Sequence, residues 1–192
     1  MEFGMIVFPH PEHVVKEATF AEGQGFSYVG FADCPVSGGD VYACMALAAV
    51  ATRKITLVTH IATAPMRPAP VTVQAIATVN ALAPGRVILG FGTGSFTRSL
   101  MGLPPMKIRD FRTQLVGMRA LLNGSEALYE TEGLQRKIRF YNRDRGFIRL
   151  EPRIPLYIAA SAPKVAMLAG EFGDGLMTSP TPSPEQLASL LE

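Results

Sequence analysis

The chain has 192 residues, 48% of them apolar and 18% charged, with 18 basic against 16 acidic side chains. That length and apolar content suit one compact domain and exclude a disordered chain, while the near balance of charge excludes the basic field of a nucleic-acid binder. Cys34 and Cys44 are the only cysteines; their spacing suits neither a metal knuckle nor a redox pair, and a reducing cytoplasm is the expected setting.

The N-terminus carries an acid at Glu2 and reaches Pro9 and Pro11 after too few apolar residues for a signal peptide. Phe3 to Phe8 instead reads as a first strand, and Glu12 to Gly23 as a helix with Val14, Val15, Ala18 and Ala21 at helical spacing. Ser27 to Ala32 is a second strand, followed by a Gly38-Gly39 loop, Asp40 as N-cap and a helix through Thr52. The longest apolar run, Ala43 to Ala51, is about half of a bilayer span, so no membrane role is expected. Ile55 to Ala62 is a third strand, Ala69 to Leu82 its helix, and Pro84-Gly85 a turn. Val87 to Phe91 is a fourth, continuous and apolar as in a strand covered on both faces.

Beyond a loop containing Gly and Ser, Ile108 to Leu122 is a long amphipathic helix stopped by Asn123-Gly124. Glu126 to Glu151 then mixes β-formers with Lys137, Arg136, Arg139, Arg143, Arg145 and Arg149. It reads as a solvated, hairpin-like excursion within 125–153. Leu156 to Ala160 is the fifth strand, Pro163 to Phe172 its helix, Leu176 to Thr178 the sixth strand and Pro184 to Leu191 a sixth helix. Six β/α pairs in strict alternation imply a parallel sheet with right-handed crossovers, either doubly wound or a barrel. A (β/α)8 barrel usually takes about 250 residues, so a barrel here is expected to be incomplete.

In parallel α/β folds ligands gather at the carboxyl ends of the strands, which directs attention to five loops. Asp33 and Cys34 close strand two; Asp33 suits either a polar contact to a ligand or a loop cap. His60 closes strand three, as a half-buried hydrogen-bonded ring or as a catalytic group. The run Gly90-Phe-Gly92-Thr-Gly94 is either a tight turn or a place where backbone approaches a flat ring. It does not read as a dinucleotide fingerprint, because Ser95 stands where the third glycine belongs and no helix is expected to start promptly. Ala160-Ser-Ala-Pro-Lys164 passes straight from strand to helix, so its free amides, the Ser161 hydroxyl and the helix dipole suit a phosphate, with an ordinary Ser161 N-cap as the plain alternative. Thr178 closes strand six. No metal ligand set, serine triad or carboxylate pair is legible.

Taken together these loops resemble the bacterial-luciferase-like superfamily of flavin- and deazaflavin-dependent oxidoreductases, most nearly the branch of methylenetetrahydromethanopterin reductase. The resemblance rests on Thr59-His-Ile-Ala-Thr63 with Arg67 and Pro70, Ala75-Ile-Ala-Thr-Val-Asn80, Pro84-Gly-Arg-Val-Ile-Leu-Gly-Phe-Gly-Thr-Gly94, Pro155-Leu-Tyr-Ile-Ala-Ala-Ser-Ala-Pro-Lys164 and Leu168-Ala-Gly-Glu-Phe-Gly-Asp-Gly175. It implies a TIM (β/α)8-type barrel, here with about six units, and a cis peptide at His60-Ile61 beneath the cofactor ring. It implies that Gly92, Thr93 and Gly94 line the cofactor, that Ala160, Ser161, Ala162, Pro163 and Lys164 hold its phosphate, and that Asp33 and Thr178 face the ring.

The implied activity is hydride transfer between deazaflavin (coenzyme F-420), or else FMN, and a small organic substrate; with FMN, oxygen activation becomes the alternative. Asp33, Cys34 and His60 are the candidate catalytic residues. Sugar-phosphate dehydrogenases of this branch carry a histidine after the strand-two acid and a glutamate after Gly-Thr-Gly, where this chain has Cys34 and Ser95, which argues against that activity. The rival reading is a non-catalytic flavin-binding protein or an incomplete barrel. Open sheet edges then call for self-association, as a homodimer.

Overall fold

The computed structural model describes residues 2–64, 66–131, 134–178, 183 and 185. The expected helix Pro184 to Leu191, and Ser179, lie outside the described residues. The order is β1 (Gly4–Val7), α1 (Val14–Gly23), β2 (Tyr28–Phe31), α2 (Val41–Ala51), β3 (Thr56–Thr59), β4 (Ala62–Thr63), α3 (Ala69–Leu82) and β5 (Val87–Gly92). It continues with α4 (Ser95–Leu100), α5 (Ile108–Leu122), β6 (Ala127–Thr131), β7 (Leu134–Ile138), β8 (Leu156–Ala159), α6 (Pro163–Phe172) and β9 (Gly175–Met177).

The main sheet runs β1-β2-β3-β5-β8-β9, parallel at every pairing, with β4 also parallel to β5. It curls into a half-barrel. Each strand is apolar because its outer face meets a helix. Leu57, Leu89 and Leu156 are fully buried along with Ile76, Leu115 and Met118 from α3 and α5, and the Phe91 ring stacks on Phe111 of α5 with centroids 5.7 Å apart. Alpha-helical spacing holds in α1, where Val14, Ala18 and Ala21 are buried; Val15, one position off that face, is exposed. Asp40 caps α2, its Oδ1 accepting from the N–H groups of Tyr42 (3.0 Å) and Ala43 (2.9 Å).

Two expectations need correction. The third strand is not continuous over Ile55 to Ala62: it breaks at a cis His60-Ile61 peptide into β3, which pairs β2 and β5, and β4, which pairs β5 alone. A helix does start promptly after Gly94, since α4 opens at Ser95. Its sequence, Ser-Phe-Thr-Arg-Ser-Leu, has no apolar periodicity to announce it, and the signal lies in the glycine, which takes the left-handed conformation at φ 67°. The missing third glycine still separates this loop from a dinucleotide fingerprint. The basic stretch contains an antiparallel β6-β7 hairpin outside the main sheet, with most of β7 exposed.

Asn80, Arg86 and Asp174 fasten the pole at the amino ends of the strands. Asn80 Nδ2 donates to the carbonyls of Arg149 and Pro152. Arg86 closes the end of α2 through the carbonyls of Ala49, Thr52 and Ile55. Asp174 accepts from the Leu156 N–H at 2.9 Å and from Arg119 and Arg153. Burial opposes its ionisation, but these donors outweigh burial and hold its carboxyl below the usual range.

Candidate functional site

A concavity of about 510 Å³ opens at the carboxyl ends of the strands. It gathers Asp33 and Cys34 after β2, His60 and Ile61 from the break between β3 and β4, and Thr93 and Gly94 after β5. Ala160, Ser161 and Ala162 after β8 and Thr178 after β9 complete the other side. Counting Phe8 after β1, five β/α junctions and the end of β9 thus meet in one place. Three expected residues stand off its lining: Gly92, Pro163 and Lys164. Gly92 lies beneath it, where a Cβ would come 2.4 Å from Ile61 Cδ1. Pro163 and Lys164 begin α6 and are exposed.

Several lining residues were not legible as site residues. Phe8 comes from the loop after β1, and Phe96 and Thr97 follow Ser95 in the unforeseen α4. Thr63, Val165 and Met177 also line the wall.

Asp33 is the knot of the floor. It is buried, and its Oδ2 accepts from the Thr63 N–H at 3.0 Å and from Arg67 Nη1 at 2.8 Å. Its backbone carbonyl accepts from the hydroxyls of Thr63 (3.2 Å) and Thr97 (3.1 Å). Arg67 also reaches Asp40 at 3.0 Å and lies over the Tyr42 ring, 5.1 Å from its centroid. Burial works against the Arg67 charge, but hydrogen bonds to the two carboxylates prevail and hold it above its ordinary pKa. Asp40, partly desolvated, is kept below the usual range by the Ala43 N–H and by Arg67.

The half-buried His60 ring faces both this concavity and a second one of about 340 Å³ inside the half-barrel. Burial pushes its pKa below 6.5, so a neutral imidazole borders the site. Gly94 shapes the opposite wall: besides its positive φ, a Cβ there would come 1.9 Å from Thr63 Cγ2. At α6 the N-cap is Ala162 rather than Ser161, with φ −143° and no side-chain cap. The Ser161 hydroxyl is therefore not spent on capping; at the start of this ten-residue helix Pro163 has no N–H and the Val165 and Ala166 N–H groups donate to the Ala162 carbonyl, which leaves the Lys164 N–H as the first-turn amide without an intrahelical acceptor. Cys34 is buried on the wall, and its carbonyl accepts from the N–H groups of Ser37 and Gly38 in a tight turn.

A curled parallel β/α sheet with a glycine-lined hollow and a helix N-terminus at its strand ends defines a half-barrel of the β/α class. The chain belongs to the luciferase-like monooxygenase family, whose pattern it matches over residues 1–192. It is 33% identical over 181 residues to an F420-dependent glucose-6-phosphate dehydrogenase of Beutenbergia cavernae, covering 87% of this chain and 52% of that protein. It is 32% identical over 183 residues to a 5,10-methylenetetrahydromethanopterin reductase of Archaeoglobus fulgidus, covering 92% and 52%. Among solved structures, the coenzyme F420 dependent tetrahydromethanopterin reductase of Methanopyrus kandleri superposes with a TM-score of 0.78 at 25% identity, covering 93% of this chain and 55% of that one. The chain thus spans about half the length of the curated relatives it matches. Among the described residues no helix is long and apolar enough to cross a membrane.

Proposed function

We propose that this chain binds a phosphate-bearing deazaflavin, in preference to FMN, and serves hydride transfer to or from a small organic substrate. The observation that carries the reading is the meeting of five β/α junctions in one hollow of about 510 Å³. The residues fit such a group. Gly94 has no side chain where backbone must come close, the apolar Ile61 and Ala160 offer a flat wall, and the Ser161-Ala162 turn brings the Ser161 hydroxyl and the positive end of the α6 dipole to the place of an anion. Deazaflavin is preferred because the relatives above 30% identity are named as F420-dependent or as the methanopterin reductase.

A bound deazaflavin or flavin supplies the hydride chemistry. The chain's own part is positional. Ser161, Ala162 and the α6 dipole would hold the phosphate, and His60, Ile61, Thr93, Gly94 and Thr178 would hold the ring. Asp33 braces the floor rather than exchanging protons, because its Oδ2 already accepts from Thr63 and Arg67. Cys34 and Ser95 stand where the sugar-phosphate branch has histidine and glutamate, which favours a smaller or less polar substrate. Free buried Cys34 and Cys44 suit a cytoplasmic setting. Exposed Phe3, Ile6, Phe8 and Phe20 beside the β1 edge support self-association as a dimer, which sedimentation velocity tests.

The deciding experiment is a titration of the purified protein with FMN and with deazaflavin, followed by turnover with the reduced form. Saturable binding of deazaflavin with turnover is expected. Binding without turnover favours a non-catalytic flavin carrier, and binding of neither ring overturns the proposal.

A further inference from the structure

Two of the chain's three histidines stand three residues apart, in His10-Pro-Glu-His13 between β1 and α1. The segment is a turn in which the N–H groups of His13 and Val14 both donate to the His10 carbonyl at 2.9 Å. That turn lays the two imidazoles face to face, with centroids 4.2 Å apart and planes 19° from parallel. Glu12 projects beside them, and one ligating atom from each of the three lies within 4.8 Å of the other two. All three are exposed, and among the described residues no hydrogen bond or ion pair engages their side chains.

The backbone beneath is fastened on both sides. Proline at 9 and 11 fixes φ, the Gly39 N–H donates to the Pro9 carbonyl at 2.8 Å, and the Pro11 ring stands 3.2 Å from where a Gly39 Cβ would be. The turn is therefore clamped between the start of α1 and the loop after β2. Side chains that rotate freely on a fixed backbone can converge at little packing cost.

We propose that His10, Glu12 and His13 form a binding site for one borderline divalent cation of the Zn²⁺, Ni²⁺ or Cu²⁺ kind, with water completing the coordination. Two imidazole nitrogens and one carboxylate select such ions over Mg²⁺ and Ca²⁺, which take all-oxygen sets. A tetrahedral zinc ion with ligands at about 2.1 Å needs donor separations of about 3.4 Å, and rotation of exposed side chains closes the difference from 4.8 Å. In the sequence alone the His-x-x-His pair has neither the usual helical nor the usual knuckle spacing, and it is the turn that aligns the two rings. The three side chains lie off the lining of the hollow, in the turn that follows Phe8, and His10 and His13 border a separate groove with Lys16, Glu17 and Phe20. The ion's presence does not depend on what the hollow binds.

The test is calorimetric titration of tag-free, chelator-treated protein with ZnCl₂, with MgCl₂ as control. One equivalent of Zn²⁺ is expected, with no saturable Mg²⁺ binding. His10→Ala and His13→Ala should each weaken Zn²⁺ binding roughly tenfold or more, as loss of one of three protein ligands does, while His60→Gln leaves it intact. Circular dichroism confirms that the surface variants stay folded. Absence of saturable Zn²⁺ binding, or undiminished binding in the His10→Ala/His13→Ala protein, overturns the proposal.

Discussion

Arg67 Nη1 lies 2.8 Å from Asp33 Oδ2, with 2% of the Asp33 side chain and 18% of the Arg67 side chain exposed. The pair joins the end of β2 to the segment leading into α3, and Thr63 donates to the same carboxylate oxygen. Removing the cation leaves a buried carboxylate with its charge uncompensated. Arg67→Met should therefore destabilise the protein by about 3 kcal/mol, measured as a shift in urea midpoint. Asp33→Asn combined with Arg67→Met should recover part of that loss, because the lone charge goes with its partner; an additive double variant would refute the coupling.

Gly94→Ala tests the opposite wall. Its φ of 67° and the 1.9 Å approach of a Cβ to Thr63 Cγ2 oppose any side chain. A cost of about 1–3 kcal/mol is expected from the backbone strain alone, with weaker deazaflavin binding as Thr63 is displaced. Thermal melts and a binding titration read the two effects separately.

Much of this fold was legible because periodicity reports burial. The helix Ala69 to Leu82, for example, was bounded to the residue by its proline and by the Pro84-Gly85 turn. The β3/β4 break was invisible to periodicity, since Ile55 to Ala62 reads as one unbroken run of β-formers, and only the likeness to a known family pointed to His60-Ile61. The family-like motifs also divide between two poles. Ser161 and Gly94 serve the hollow, whereas Asn80, Arg86 and Asp174 serve the hydrogen bonds at the other end. Nothing in a linear string separates these roles. Arg67 was quoted as part of a motif, but its partner Asp33 is 34 positions away, and long-range pairing of that sort becomes visible only in three dimensions.

The His60 ring makes stability depend on pH in a definite direction. Burial lowers its folded pKa below 6.5, so the unfolded chain binds the proton more readily than the native one. The contribution of the neutral ring is full above pH 6.5 and is lost as pH falls through 6.5 toward the folded value. Glu22 and Asp40, whose pKa values are lowered from 4.5 and 3.8, act only at more acid pH. Between about pH 7.5 and 5.5 the melting temperature should fall less in His60→Gln than in the parent protein.

The phosphate end separates two neighbours that a sequence motif treats alike. Ala162→Asp places a negative charge at the α6 N-terminus, where an anionic ligand would compete with it, and should weaken FMN and deazaflavin binding roughly tenfold or more. Lys164→Ala removes an exposed cation standing off the wall and should change the dissociation constant less than about threefold, as solvent-screened charges do. Equal losses in both variants would place the phosphate elsewhere.

Thr63, Arg67 and Thr97 all donate to Asp33, through its carboxylate or its carbonyl, and they come from two stretches of chain, α4 and the segment leading into α3. Changes to these residues will register as folding defects before they register as altered chemistry. Phe8, Cys34 and Phe96 border the same hollow without belonging to that set of donors. Diversification toward new substrates would therefore begin with those three, over a foundation that tolerates little revision.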